Sequence, residues 1–402
     1  MTLRIKSVSK DNEIYSFAKE IEINNHRFQT PFPVKNPTIS QETMPSSLPN
    51  ELYEFWSTFN MKDVLKAPID NNVGDKIINR FRNKNTRDVK NKPKIFLTSY
   101  KNFKGNPFKY FDDKLLEFML DSSYLYTDIV TFPIIHGVRD VVNNNSILQD
   151  YLVFIDKCYK IADTLNNKPI MGIIPPIPQA FIRKIVEKFV SLDLMMFCFD
   201  FNGSSLSAYY PHYSQVFRTL YDIDKTKLEE TIKYVINLRL PSNRNRYNPF
   251  PAEDLLTPSI GTDILGINHL SGGSATTKTR KKKKSKKPAK ITPKINTNLV
   301  NTDEYNYHRI SDRAKFNKIF PNPLIQPSFQ NFTTATYKKR NTFQKKFNYA
   351  NLNTEMNSLH QKIRNNEPIL KILASKIGIK DQIRNKVNWL DSFMNTKSLY
   401  DF

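Results

Sequence analysis

Short apolar segments alternate with amphipathic segments between residues 94 and 266. Four apolar segments are predicted to be strands: residues 94–100, 123–135, 168–177 and 194–203. The last is apolar enough to be buried on both faces. Apolar residues at i, i+3 and i+4 spacing predict helices over 146–165 and 179–193, and a helix that continues into a strand over 227–241. This alternation predicts an α/β fold with a parallel sheet. Its extent favours a (β/α)8 TIM-type barrel over a doubly wound sheet.

The N-terminal region has a different pattern. Alternating apolar and polar residues on either side of "NNH" predict a β-hairpin over residues 14–34, which prolines end. Residues 50–90 are polar with helical periodicity, and "NELYEFWSTF" is interpreted as the amphipathic start of a helix. No GxGxxG or P-loop sequence begins any predicted helix, so no nucleotide-binding motif is present.

Composition and charge divide the chain into three parts. Residues 1–270 form the predicted barrel, residues 271–296 a Lys-rich linker, and residues 297–402 a basic C-terminal extension with helices. The linker is predicted to be extended and disordered, because nine of the thirteen residues from Lys278 to Lys290 are basic and like charges repel.

The charge also indicates a class of partner. The 402-residue chain has a formal net charge of +23, which favours a polyanionic partner, because neutralising phosphates releases counterions. The alternative is a basic protein with a solvated tail. Residues of the linker predicted to contact nucleic-acid phosphates are Lys278, Arg280, Lys281, Lys282, Lys283, Lys284, Lys286 and Lys287. The same run could be a localisation signal or only a solvated linker. Further on, the rings of residues 336–349 could stack on unpaired bases.

Cysteine and histidine content limits the chemistry. Only Cys158 and Cys198 are present, and the six His have no metal-binding spacing, so no metal site, disulfide framework or cofactor is expected. The N-terminus has no hydrophobic signal core and no apolar run is long enough to span a membrane, so a cytoplasmic location is expected.

Two aspartates stand where strands of the predicted barrel meet their loops. In such barrels, functional residues lie at the carboxyl ends of strands. Asp200 ends "LMMFCFD", where partial desolvation makes its protonation tunable; alternatively it only accepts backbone hydrogen bonds from the following turn. Asp263 lies in "SIGTDILG" and could be catalytic, a cap or a structural ion pair inside the barrel.

Other residues at predicted strand ends are candidates for base or substrate binding. These are Ser99, His136, Asn202, Gly203 and His269. His136 could be an acid, a base or a phosphate contact, although single histidines are more often structural. No Ser or Cys lies in a recognisable nucleophile elbow.

The order of several segments resembles the tRNA-guanine transglycosylase superfamily, especially its archaeal branch. The residues that carry the resemblance are "EIEINNHRFQTPFPVKNPTI" (20–39), "KIFLTSYKNF" (94–103) and "FPAEDLLTPSIGTDILG" (250–266). "MGIIPPI" and "FDFNGSS" fall where the family has its base-holding strand ends. The resemblance covers roughly residues 15–275. It implies a (β/α)8 barrel, exchange of guanine in tRNA for a 7-deazaguanine through a covalent intermediate, and dimerisation.

The chain departs from the family at the positions that carry its chemistry. Ser99 stands where the resemblance places the proton-handling Asp, and Gly266 where it places the nucleophile, so that Asp263 matches only the first Asp of the Gly-x-Asp-x-x-Asp strand. The family's zinc site has no counterpart.

Three hypotheses follow from this pattern. The chain could be a divergent base-exchange enzyme of tRNA or DNA that uses Asp200 and Asp263, a non-catalytic RNA-binding partner subunit, or an unrelated basic TIM-barrel enzyme. The first requires the two carboxylates to lie within about 8 Å of each other, the separation of paired catalytic carboxylates.

Overall fold

A computed structural model describes residues 3–11, 16–39, 51–85, 89, 91–103, 105–138, 145–165, 168–240, 248–270, 297–329 and 337–379. The predicted linker and residues Lys278 to Lys290 lie outside the described residues. The strands are β1 Leu3–Lys10, β2 Phe17–Ile23, β3 His26–Thr30, β4 Phe32–Pro33, β5 Tyr53–Asn60, β6 Lys94–Lys101, β7 Val130–Thr131, β8 Ile134–Ile135, β9 Ile170–Ile174, β10 Met196–Asp200, β11 Ile232–Ile236, β12 Phe250–Pro251, β13 Ile264–Leu265, β14 Thr297–Asn301 and β15 Asn306–Ile310.

The α-helices connect and flank these strands. They are α1 Met61–Val64, α2 Asn71–Lys84, α3 Asp113–Tyr124, α4 Asn145–Thr164, α5 Gln179–Ser191, α6 Leu206–Ile223, α7 Lys225–Glu230, α8 Glu253–Leu256, α9 Arg313–Ile319, α10 Tyr337–Arg364 and α11 Ile369–Ala374. Short 3-10 helices lie at Pro107–Tyr110, Pro258–Ile260 and Ile377–Ile379. Among the described residues, no helix is both long and apolar enough to cross a membrane.

Parallel strands form the centre of the fold. Six of them make one sheet in the order β4-β13-β11-β10-β9-β7, and β5-β6-β8 make a second sheet. Two isolated parallel bridges lie between the two sheets. Lys35, which follows β4, bridges Tyr53 of β5, and Ile129, which precedes β7, bridges Ile95 of β6. Every residue of β9, β10 and β11 is buried, as expected for strands covered on both faces. The α/β class with a parallel sheet is therefore confirmed.

The prediction for residues 53–60 was wrong. This segment is β5, whose eight residues pair in parallel with β6 from Tyr53–Lys94 to Asn60–Lys101. Helices of this region begin only after β5, with the short α1 at Met61 and the longer α2 at Asn71. Helix α2 follows Asp70, whose side chain accepts hydrogen bonds from the backbone N–H groups of Asn72 and Val73. The antiparallel hairpin is confirmed for β2 and β3, which pair around the turn at Asn24 and Asn25. The predicted second strand was too long, because β3 ends at Thr30 and Phe32–Pro33 form β4, which pairs in parallel with β13.

The C-terminal region packs on the rest of the chain. Strand β15 pairs with β12 and with β14, and helix α10 lies against β2, β3, β4 and β14. The buried residues Leu352, Met356 and Leu359 of α10 belong to the same apolar core as the parallel strands. A second, smaller core groups Phe316, Phe320 and Phe347 with neighbouring apolar residues.

Candidate functional site

Asp200 is buried at the carboxyl end of β10. Its Oδ1 accepts hydrogen bonds from the Asn237 side chain (2.8 Å) and from the backbone N–H of Asn202 (2.9 Å). Burial raises the pKa of Asp200, and the hydrogen bond from Asn237 opposes this effect. A carboxyl group with a raised pKa at a strand end has the properties of an acid or base.

A polar cluster continues from Asp200 to the neighbouring strands. The carbonyl oxygen of the Asn237 side chain accepts from the backbone N–H of His269 (2.9 Å), and the His269 ring contacts the carboxylate of Glu54. Glu54 also accepts from the hydroxyl of Tyr234 and, at 2.9 Å, from the backbone N–H of Ile267. We call Glu54, Trp56, Asp200, Tyr234, Asn237 and His269 the strand-end cluster.

Two histidines of the sequence analysis lie beside Trp56. The ring of His269 stacks on Trp56 with centroids 4.6 Å apart, and the ring of His136 meets Trp56 edge-on at 6.2 Å. Burial lowers the pKa of His136, while the nearby Asp200 carboxylate acts in the opposite direction. His136 and His269 thus both lie against the Trp56 ring, and Asn237 connects the backbone of His269 to the carboxyl of Asp200.

The remaining strand-end candidates have structural partners. The hydroxyl of Ser99 is buried and lies 2.8 Å from that of Thr58, which also accepts from the indole N–H of Trp56 (2.8 Å). Gly203 has a positive φ of 74° and donates its backbone N–H to the carbonyl of Asn237 (2.8 Å). The side chain of Asn202 is exposed on the same turn.

Asp263 lies at the other end of the sheet from Asp200. Its carboxylate accepts from Lys19 Nζ (3.1 Å), from the backbone N–H of Lys233 (2.8 Å) and from the hydroxyl of Thr30 (3.3 Å). Both lysines are fully buried, and burial lowers the pKa of Lys233 well below its usual range. Asp263 therefore forms a buried structural ion pair with Lys19, one of the alternatives that the sequence left open.

The strand register gives the separation of the two aspartates. Asp263 bonds Lys233, which pairs with Phe197, three residues before Asp200 on β10. Three residues correspond to about 10 Å along a strand, and β11 lies between β10 and β13, which adds about 10 Å across the sheet. The structure thus does not bring Asp200 and Asp263 within the about 8 Å that two carboxylates acting on one sugar need.

Gly266 is packed against the strand-end cluster. A Cβ atom there would lie 2.6 Å from Oε2 of Glu54, 2.6 Å from Cγ2 of Ile236 and 2.8 Å from the carbonyl oxygen of Val235. There is therefore no space for a side chain at Gly266, where the resemblance places the nucleophile. The carboxylate of Glu54 lies in the space that such a side chain would need.

Sequence reasoning missed Glu54, Trp56, Tyr234 and Asn237. Glu54 and Trp56 were placed in a helix, and no motif marks Tyr234. Asn237 directly follows β11, so the rule that selected Asp200 also applies to it. In the sequence analysis, the rings of residues 336–349 were candidates for base stacking, but Phe347 and Tyr349 are buried in the protein core. Among the described residues, no group of His, Cys, Asp and Glu is arranged to hold a metal ion.

Comparisons with known proteins give little further information. No family model matches the chain, and no curated protein matches it. Among solved structures, the chain is similar to the carboxyl transferase domain of Rhizobium etli pyruvate carboxylase with 3-bromopyruvate. The identity is 7%, the TM-score is 0.32, and the match covers 89% of this chain but only 55% of that one. A similarity of this extent identifies neither the fold nor the function of this chain.

Proposed function

We propose that this protein is a transglycosylase-like (β/α)8 barrel that binds nucleic acid without exchanging a base through the two-aspartate chemistry of that superfamily. The barrel architecture is supported by the two parallel sheets and by the bridges that connect Lys35 with Tyr53 and Ile95 with Ile129. These bridges link β4 to β5 and β6 to β7, which would complete a ring of parallel strands.

The packing of Gly266 supports the proposal that the protein does not use the two-aspartate chemistry of the superfamily. A nucleophilic side chain at this position would have to displace the buried Glu54, which Tyr234, Ile267 and His269 hold in place. Asp263, the other acidic residue of the same segment, is neutralised by Lys19 at the opposite end of the sheet. Neither residue is therefore in a position to attack a sugar carbon beside Asp200.

The excess of positive charge supports the nucleic-acid partner. The formal charge of +23 includes the run from Lys278 to Lys290, and such clusters bind phosphates without reading sequence. We propose tRNA as the first candidate and DNA as the second, a cytoplasmic location, and a role as partner of a catalytic transglycosylase subunit.

The binding test measures affinity for tRNA and for duplex DNA as a function of salt. Replacement of Lys281, Lys282, Lys283 and Lys284 by Gln should weaken binding and reduce the slope of log K against log salt by about 3. The matched control removes the same charge from four exposed lysines, Lys109, Lys114, Lys160 and Lys184. Binding that is insensitive to salt, or equally weakened by both sets of substitutions, would contradict the proposal.

The catalytic test measures incorporation of labelled guanine or a 7-deazaguanine into the same nucleic acids. We expect none from the protein alone. Incorporation by the isolated chain would exclude a protein that only binds nucleic acid. If incorporation persists in Asp200→Asn and Asp263→Asn, neither aspartate is catalytic.

A second candidate function is base exchange with Asp200 as the acid or base. The observation that favours it is the buried Asp200 carboxyl, whose raised pKa and neighbouring His136 match the requirements of proton transfer. Under this alternative, Asp200→Asn abolishes incorporation while the exposed control Asp163→Asn retains it. Activity that is the same in both variants would remove Asp200 from the reaction.

A further inference from the structure

A pocket of about 230 Å³ lies between helix α10 and the carboxyl ends of β4, β11 and β13. None of the residues of the strand-end cluster lines it, because the backbone around Gly266 separates the two sites. The pocket is thus distinct from the candidate site described above, and it does not depend on the proposed nucleic-acid function.

The walls of the pocket are mostly apolar. The apolar residues of the wall include Pro33, Val34, Ile39, Leu238, Leu265 and Leu352. Its volume is below the about 300 Å³ at which pockets for drug-sized ligands begin. The space therefore suits a ligand whose apolar part is about one aromatic ring.

Two polar groups on one face of α10 line this pocket without partners. Asn341 and Lys345 are one turn apart, and neither side chain makes a hydrogen bond or ion pair within the described part of the chain. By contrast, the neighbouring Gln344 and Asn348 accept hydrogen bonds from the backbone of β14. Lys345 and Asn341 therefore offer an ammonium group and a carboxamide to a ligand in the pocket.

The ammonium of Lys345 has no counter-ion among the described residues that line the pocket. Partial burial lowers the pKa of Lys345, because the ammonium has lost water without gaining a counter-ion. Among the described residues that line the pocket, Asp254 is the only carboxylate, and it accepts from the hydroxyl of Tyr307 and the backbone N–H of Leu255 (3.1 Å). An anion that contacts Lys345 would replace the interaction with water that the ammonium loses on burial.

We propose that this pocket binds a small organic anion, with its carboxylate or phosphate on Lys345 and Asn341 and a flat apolar body against Leu238, Leu265 and Leu352. A charge-assisted hydrogen bond from a partly buried ammonium is stronger than one from a neutral donor, so the anionic group should dominate affinity.

The test compares benzoate, phenyl phosphate and the neutral isostere benzamide by ligand-observed NMR titration of the full chain. Benzoate and phenyl phosphate should bind more tightly than benzamide, and Lys345→Met should weaken benzoate binding by about tenfold or more. The matched control is Lys362→Met, on the same helix but outside the pocket. Lys345→Arg should retain binding.

Two further readouts separate this site from non-specific attraction to a basic protein. Leu240→Trp, at an exposed position of the rim, should block benzoate without a change in charge. Benzoate binding should also raise the pKa of the Lys345 ammonium, measured from its side-chain NMR signals. Equal affinities for benzoate and benzamide, unchanged binding in Lys345→Met, or displacement of benzoate by an uncharged nucleoside would each overturn the proposal.

Discussion

Asp263→Asn tests whether Asp263 is structural. The substitution removes the negative charge and leaves Lys19 buried without a counter-ion, while an amide oxygen can still accept from one of the present donors. Lys19 is fully buried, and its ammonium also contacts the carbonyl oxygen of Thr231 (2.7 Å) and the face of the Phe17 ring (5.1 Å) and lies near the like-charged ammonium of Lys233.

The expected destabilisation follows from the cost of an unpaired buried charge. Removal of one partner of a buried ion pair costs about 3–5 kcal/mol. The unfolding entropy of a chain of 402 residues is about 0.8 kcal/mol per kelvin at the melting temperature. The free energy lost therefore corresponds to a fall in Tm of about 4–6 °C.

The assay is thermal unfolding followed by far-UV circular dichroism, with Asp200→Asn as the matched control. Asp200 is also buried, but burial raises the pKa of its carboxyl, and an Asn retains the oxygen that Asn237 and Asn202 contact. We expect the control to lose less than about 1 kcal/mol at pH 7. Equal Tm values for Asp263→Asn and the wild type, or a larger loss in the control, would refute the structural role of Asp263.

Three other substitutions test particular contacts. Gly266→Ala should lower the free energy of unfolding by about 1–3 kcal/mol in urea titration, because its methyl group would overlap Glu54; an unchanged midpoint would show that the strand end can relax. Burial raises the pKa of Asp254 to about 6, so the folded form loses stability as pH rises from 3.8 through 6. Asp254→Asn should therefore gain about 2 kcal/mol relative to the wild type between pH 4 and pH 7 in urea titrations at the two pH values; a constant difference would contradict this reasoning. The ring of the buried His360 contacts the carbonyl oxygen of Thr30 at 2.6 Å, and burial lowers the pKa of His360. The wild type should therefore lose stability as pH falls below about 6.5, and His360→Leu should lose less. Parallel curves of Tm against pH for the two proteins would show that His360 is not the cause.

Local pattern was sufficient where the partner of a segment lies nearby or where burial is complete. The hairpin of β2 and β3 is joined by two residues with positive φ, Asn24 and Asn25, which "NN" already indicates. Strands β9 and β10 are apolar at every position or nearly so, because every residue of both strands is buried. In such segments, the amino-acid composition alone indicates that the strand is buried.

Other segments could not be assigned from local pattern. In "NELYEFWSTF", apolar spacing is compatible with a helix, and the segment becomes β5 because Tyr53 to Asn60 pair with β6. Helix α6 was not predicted; it contains Pro211, and a proline inside an apolar periodic segment usually indicates a helix end. In both cases, contacts outside the segment decide its structure.

The sequence by itself determined the parallel α/β class, the strand ends at which Asp200, His136 and His269 lie, and the absence of a side chain at Gly266. Only the tertiary structure decided which of these residues meet. Residues far apart along the chain became neighbours, such as Glu54 with His269 and Lys19 with Asp263. The physical reason is that the strand register places the carboxylate of Asp263 beside the buried Lys19 and that of Asp200 at the carboxyl end of the sheet. That register depends on the pairing of β10, β11 and β13 rather than on the residues next to each aspartate.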